Sequence, residues 1–215
     1  MLTLYSYFRS SAAYRVRIAL NLKGLKYGIV PVHLLRDGGQ HHAPAYTHRN
    51  PAELVPTLDH DSQTITQSLA ILEYLEETYP VPPLMPPTAL GRAHIRALCL
   101  TIACEIHPLN NLRVLNYLKG ELDVSEDACN EWYQHWVQAG LHAFERLLIR
   151  NVSAERFCYG DVPTFADCCL VPQIFNAKRL QCPLGDYPTL MRIYENCEQM
   201  EPFARAAPGS QLDAE

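Results

Sequence analysis

The chain has 215 residues, enough for one large domain or two small ones sharing an interface. Hydrophobic residues make up 48%, so core material is ample, and a net charge of −5 leaves no basic face for a phosphate backbone. No run approaches ~20 uninterrupted apolar residues and the start lacks a basic, apolar leader pattern, so neither a membrane span nor a secretory segment is expected.

Leu2-Thr3-Leu4-Tyr5-Ser6-Tyr7 alternates as a strand does, and Val16, Ala19, Leu20 and Leu22 then recur at helical spacing. Ser10 and Ser11 stand at the helix start, where a hydroxyl caps free backbone N–H groups and where those groups also hold anions. Gly24 ends the helix. Tyr27 to Val32 is the second strand, with Pro31 marking an edge or a strand start, and the pair forms a βαβ unit. Arg36 to Arg49 is polar, predicted as a loop with a short, poorly formed helix. His41 and His42 in it read as solvated loop residues, since no ligand spacing supports a metal.

Val55-Pro56 precedes a third strand, and Gln63 to Thr66 forms a fourth after the turn at Asp61-Ser62. A helix opens at Gln67-Ser68, with Leu69, Ile71, Leu72 and Leu75 turned inward and Glu73, Glu76 and Glu77 in water. Five prolines between Pro80 and Pro87 make a stiff linker and mark a domain boundary.

Beyond the linker the periodicity is helical. Ile95, Leu98, Ile102, Ile106 and Leu109 form one stripe of a long helix from about Thr88. It is bent at Pro108, so that His107 shares a polar face with Asn110 and Asn111. Trp132, Trp136, Leu141, Phe144 and Leu148 mark another helix, capped by Ser125. Thr164-Phe165-Ala166-Asp167 has the pattern of a capping box, which makes Asp167 structural. A last helix runs from about Pro188 to Met200, and the tail from Ala206 reads as polar and irregular. The eight cysteines all fall at or after Cys99 without a C-x-x-C pair and read as reduced, mostly buried thiols. There is no P-loop, G-x-G-x-x-G, G-x-S-x-G or H-E-x-x-H motif.

Ser10-Ser11 followed by Arg15-Val16-Arg17-Ile18-Ala19-Leu20 resembles the signature of the zeta class of glutathione transferases, and the resemblance covers nearly the whole chain. One departure is Ala12, where that signature usually has cysteine. The resemblance implies an α/β thioredoxin-like N-terminal domain (1–79), the proline-rich linker (80–87) and an all-α substrate-binding domain (88–215). It also implies a cytoplasmic homodimer with glutathione as cofactor. Val55-Pro56 resembles the cis-proline motif whose preceding backbone pairs with the cysteine of glutathione. Gln67 and Ser68 match the pair that holds its γ-glutamyl carboxylate. Arg15, His41, Asn111 and Arg113 complete the implied cofactor site. The Thr164–Asp167 pattern resembles the family's N-capping box.

The implied reaction is cis–trans isomerisation of a small dicarboxylate, a maleyl keto acid (maleylacetoacetate or maleylpyruvate), to its fumaryl isomer. With no cysteine near the helix start, the thiol is borrowed from glutathione. Ser10 first, and Ser11 second, donate to its sulfur. Arg9, Arg113 and Arg179 take the carboxylates through their planar forks, and His107 stabilises the enolate oxygen. Two alternatives remain open on sequence alone: a transferase that releases a thioether, and a glutathione-binding protein without catalysis.

Overall fold

The computed structural model describes residues 1–150 and 153–215. They form two compact units, Met1–Leu84 with Glu198–Glu215, and Met85–Cys197. The sequence pattern assigns 198–215 to the helical part, but hydrogen bonds return this segment to the first unit. The Arg17 Nε donates to the Ala206 carbonyl and the Asn21 amide to the Pro202 carbonyl, both at 2.9 Å.

In the first unit, β1 (Leu2–Ser6) buries Leu2 and Leu4 and leads into α1 (Ser11–Leu22). β2 (Tyr27–Pro31) then pairs parallel with β1, which closes the βαβ unit. β3 (Thr57–His60) lies antiparallel to β1, and β4 (Gln63–Thr66) antiparallel to β3, giving the order β2-β1-β3-β4. Pro31 ends the edge strand, where its missing N–H leaves the ladder intact. α1 closes in a Schellman motif. Gly24, at φ +65°, donates to Asn21, and Leu25 donates to Leu20, both at 3.0 Å. The polar loop holds only α2 (Pro44–Thr47) and two single 3₁₀ turns.

α3 (Ser68–Thr78) packs on α1 through Ile71, Leu72 and Leu75. Leu69 is only half-buried, and Glu76, assigned to water by its place in the pattern, is buried. Its carboxylate meets the Lys23 ammonium at 2.8 Å and accepts the Leu84 N–H at 3.0 Å. Lys23 also donates to the carbonyls of Tyr79 (2.7 Å) and Pro82 (3.0 Å). The pair thus staples the first half of the proline segment to the sheet unit.

The second unit opens with α4 (Ala89–Leu100), capped by the Thr88 hydroxyl, which accepts from Gly91 at 3.1 Å. It does not continue as one bent helix to Leu109. Thr101–Ile106 is a π-helical turn, closed by His107 N–H donating to the Ile102 carbonyl at 2.9 Å. The chain then leaves the helix, and α5 (Leu112–Gly120) starts afresh. The wide turn drives Ile106 onto α6 (Glu126–Arg150) at Gly140, where a Cβ would sit 2.1 Å from Ile106 Cγ1. The Ser125 hydroxyl accepts from Ala128 at 3.2 Å, as a cap does. The inward stripe of α6 is Tyr133, Val137, Leu141, Phe144 and Leu148, and Trp132 and Trp136 flank it half-buried. α7 (Phe165–Arg179) is central. At its start the Asp167 carboxylate accepts from the N–H groups of Cys158 (2.9 Å) and Thr164 (2.7 Å) and from the Thr164 hydroxyl (2.9 Å). Burial pushes this carboxyl up, while those donors pull it down. α8 (Pro188–Glu198) is capped from α6: Glu145 accepts from Thr189 at 2.9 Å and Leu190 at 2.8 Å. α9 (Glu201–Ala206) and a 3₁₀ turn at Pro208–Ser210 occupy the segment that returns to the first unit.

Candidate functional site

Ser10 is the N-cap of α1. Its Oγ accepts from Ala13 N–H at 3.2 Å and its carbonyl from Tyr14 at 2.8 Å. Accepting leaves the hydroxyl hydrogen to donate to an anion at this helix end. Ser11 and Ala12 follow, both buried in the first turn. Arg9, just before the cap, is held by the Tyr7 hydroxyl (3.1 and 2.8 Å) and lies over the Phe8 ring, 5.1 Å from its centroid.

Arg15 stands one turn deeper, 2% exposed, and reaches across to α3. Its Nη1 donates to Ser68 Oγ at 3.2 Å, and its Nε and Nη2 have no partner. A buried cation beside the positive end of a helix is unfavourable unless an anion joins them. Gln67, immediately before α3, is at φ +67° with its exposed side chain making no cap. A non-glycine residue there carries about 1–3 kcal/mol of strain, common at ligand clamps. Arg15 and Ser68 therefore meet at one spot suited to a carboxylate, with Gln67 next to Ser68 in the chain.

Val55 precedes Pro56 through a cis peptide, as the resemblance implies. The carbonyl before it, Leu54, is fixed by the Tyr46 hydroxyl (2.6 Å) and the Asn50 amide (2.7 Å). Tyr46 also meets the Thr57 hydroxyl at 2.9 Å. Nothing in the sequence marks Tyr46 or Asn50 as supports for this backbone, because their partners are a carbonyl and a strand residue 4 to 11 positions away. The His41 and His42 rings lie against each other, tilted by 41° with centroids 3.8 Å apart, and His42 contacts Glu53. Burial, with His42 close by, lowers the His41 pKa, against the opposing charge of Glu53.

In the second unit, His107 lies half-buried in the turn between the π segment and α5. It is not on a helix face with Asn111. Pro108 and the new start at Leu112 separate them, and the Asn111 side chain caps α5 by accepting from Arg113 N–H at 3.1 Å. Arg113 is exposed in the first turn of α5. Asn110 donates to the Tyr133 carbonyl at 3.2 Å, and Trp132 donates to the Leu109 carbonyl at 2.9 Å, so the turn is tied to α6. The Tyr133 hydroxyl is pushed up to about 12 by burial, opposed by the charge of Arg179 at the exposed end of α7. The turn after His107 and Arg179 thus border the same tyrosine.

All eight cysteines belong to the second unit, and none is in a disulfide. Burial pushes the thiols of Cys99 and Cys158 well up and that of Cys182 up, which makes them poor nucleophiles. The first unit has no thiol of its own. Among the described residues, no group of His, Cys, Asp or Glu is arranged to hold a metal ion, and no helix is long and apolar enough to cross a membrane.

The family model described as glutathione S-transferase, N-terminal domain, matches residues 4–83. The chain is 47% identical to a probable maleylacetoacetate isomerase of Vibrio cholerae, over 99% of this chain and 98% of that protein. It is 44% identical to a maleylpyruvate isomerase of a Ralstonia species, over 98% and 99%. Among solved structures it is similar to a holo maleyl pyruvate isomerase, a bacterial glutathione S-transferase of the zeta class. The TM-score is 0.96 at 44% identity, over 99% of this chain and 100% of that one. It is also similar to the maleylacetoacetate isomerase of Anaeromyxobacter dehalogenans with glutathione bound in the active site. There the TM-score is 0.89 at 43% identity, over 100% and 98%.

Proposed function

Because this chain belongs to the zeta class of the glutathione transferase family, we propose that it is a glutathione-dependent cis–trans isomerase of a maleyl keto acid. The observation that carries the reading is the corner where Arg15 meets Ser68 through Nη1 and leaves Nε and Nη2 bare, in a thiol-free unit whose other helix start presents the Ser10 hydroxyl.

When bound, glutathione supplies a thiolate whose reversible addition to the substrate alkene permits rotation. Ser10 favours that thiolate by donating the hydrogen left over from its cap, and Ser11 is the second donor at the same helix end. Arg15, Gln67 and Ser68 hold the γ-glutamyl carboxylate. The Val55 backbone, fixed by Tyr46 and Asn50 acting on Leu54, pairs with the peptide backbone. His41, Asn111 and Arg113 take the remaining polar groups of the tripeptide. Arg9, Arg113 and Arg179 hold the two substrate carboxylates as planar forks, and His107 donates to the enolate oxygen. Eight cysteines outside any disulfide support a reducing, cytoplasmic setting, and the family supports a homodimer.

The test mixes protein, glutathione and maleylpyruvate or maleylacetoacetate. Fumaryl product with the glutathione pool unchanged supports the reading, and Ser10→Ala then lowers turnover about 10- to 100-fold, the loss of one charge-assisted donor. A thioether product, or no glutathione-dependent rate, overturns it.

A further inference from the structure

Residues 7–10 form the tight turn that delivers Ser10 to the head of α1. Ser10 N–H donates to the Tyr7 carbonyl at 2.9 Å, with Phe8 and Arg9 at the corner. Both backbone groups of Phe8 are tied down from outside the turn. Its N–H donates to Asp213 Oδ2 at 3.0 Å, from 205 positions along the chain. Its carbonyl accepts from Arg17 Nη2 at 2.9 Å. Arg17 is fully buried and spends its other nitrogens on Ser6 Oγ and the Ala206 carbonyl, both at 2.9 Å. Burial lowers its pKa to about 10, and the charge of Asp213 is among those that support the cation. The Phe8 ring sits in the cluster of Tyr7, Val32, Tyr46 and Val55 and carries the Arg9 guanidinium above it. A shift of the Phe8 backbone therefore moves Ser10 on one side and Arg9 on the other. Further along the same segment, Glu215 pairs with Arg36 and lies 3.4 Å from His33, whose ring meets Tyr7 edge to face.

We propose that Asp213 is a positioning residue for the reaction: with Arg17 it clamps the Tyr7–Ser10 turn and so sets the Ser10 hydroxyl and the Arg9 guanidinium. This rests on the reading that Ser10 favours the thiolate of glutathione, and it adds a residue from the far end of the chain to that task.

The test compares Asp213→Ala with Asp213→Asn, which keeps an oxygen acceptor. In the protein without glutathione, exchange of the Phe8 amide hydrogen is expected to quicken about tenfold or more in Asp213→Ala, the scale of one lost hydrogen bond. Asp213→Asn is expected to stay near wild type. With glutathione bound, the pH at which thiolate absorbance appears moves upward in Asp213→Ala. kcat falls about 5- to 10-fold, while the dissociation constant for glutathione, set by Arg15, Gln67 and Ser68, stays within about twofold. Unchanged Phe8 exchange in Asp213→Ala overturns the clamp. Faster exchange with an unmoved thiolate profile and unmoved kcat overturns the positioning role. Should Asp213→Ala fail to fold, the same measurements on Asp213→Ser, with its short side chain, decide between these outcomes. A wild-type protein with no glutathione-dependent isomerisation overturns the functional reading itself, whatever the variants show.

Discussion

Glu76 sits on the side of α3 that the apolar pattern leaves to solvent, and it is buried because Lys23 is there to meet it. Both charges are almost fully out of water, so neither tolerates the loss of the other. Glu76→Gln is expected to cost about 3 kcal/mol in urea unfolding, because it leaves the buried Lys23 ammonium without its counter-charge. A pair 53 positions apart cannot be read from helical periodicity, which reports only which residues share a face. Ser10, Ser11, Gln67 and Ser68 were legible because helix starts have a local signature of hydroxyls ahead of an apolar stripe. Arg15 was legible only as part of the cofactor site that the resemblance implies. The structure gives it one hydroxyl partner and two bare nitrogens, a result that depends on how α1 and α3 cross.

Among whole elements, the sheet unit followed its sequence closely: the βαβ unit, the strand after Val55-Pro56 and the helix at Gln67-Ser68 all lie where patterning puts them. The stretch from Thr101 to Asn111 did not. Proline inside an apolar stripe reads equally as a bend or as an ending, and the choice is made by Gly140 across the interface, which makes room for Ile106 in a widened turn. Asn111 consequently serves as a cap, and a substitution there mixes cap loss, about 1 kcal/mol, with any loss of ligand contact. The start of α3 offers a cleaner measurement. Ser68→Ala removes the hydroxyl that Arg15 bonds, and calorimetry is expected to show glutathione binding weakened about 5- to 10-fold. The first helix keeps its stability, because α1 takes its cap from Ser10 instead. Undiminished affinity would remove Ser68 from the carboxylate site.

At the scale of the molecule, the prolines announce a change of composition but not the true bookkeeping of the units, since residues 198–215 belong with the sheet. The tail from Ala206 reads as irregular in sequence because its order comes from distant partners: Arg17, Phe8 and Arg36. The Arg36 guanidinium depresses the Glu215 carboxyl below its ordinary value, with His33 and Arg9 acting in the same direction. A depressed carboxyl stabilises the fold above its unfolded pKa and loses that contribution as the pH falls through the folded value. The Arg36–Glu215 contact is therefore expected to persist on acidification past the usual glutamate range near ~4.3. It should loosen in about 0.5 M salt, because both groups face solvent. The carboxyl carbon resonance of Glu215, followed by NMR against pH and salt, checks both. A midpoint at or above the ordinary value would contradict the pairing.

A chain made from its N-terminus has a particular problem with this arrangement. The sheet, both serine-bearing helix starts and the buried Arg17 leave the ribosome early, while Ala206 and Asp213 follow only after the whole second unit has been translated. Until then a nascent chain has Arg17 with unfilled nitrogens and a loose corner at Phe8. The main part of the sheet unit leaves the tunnel before the helical unit and is finished after it.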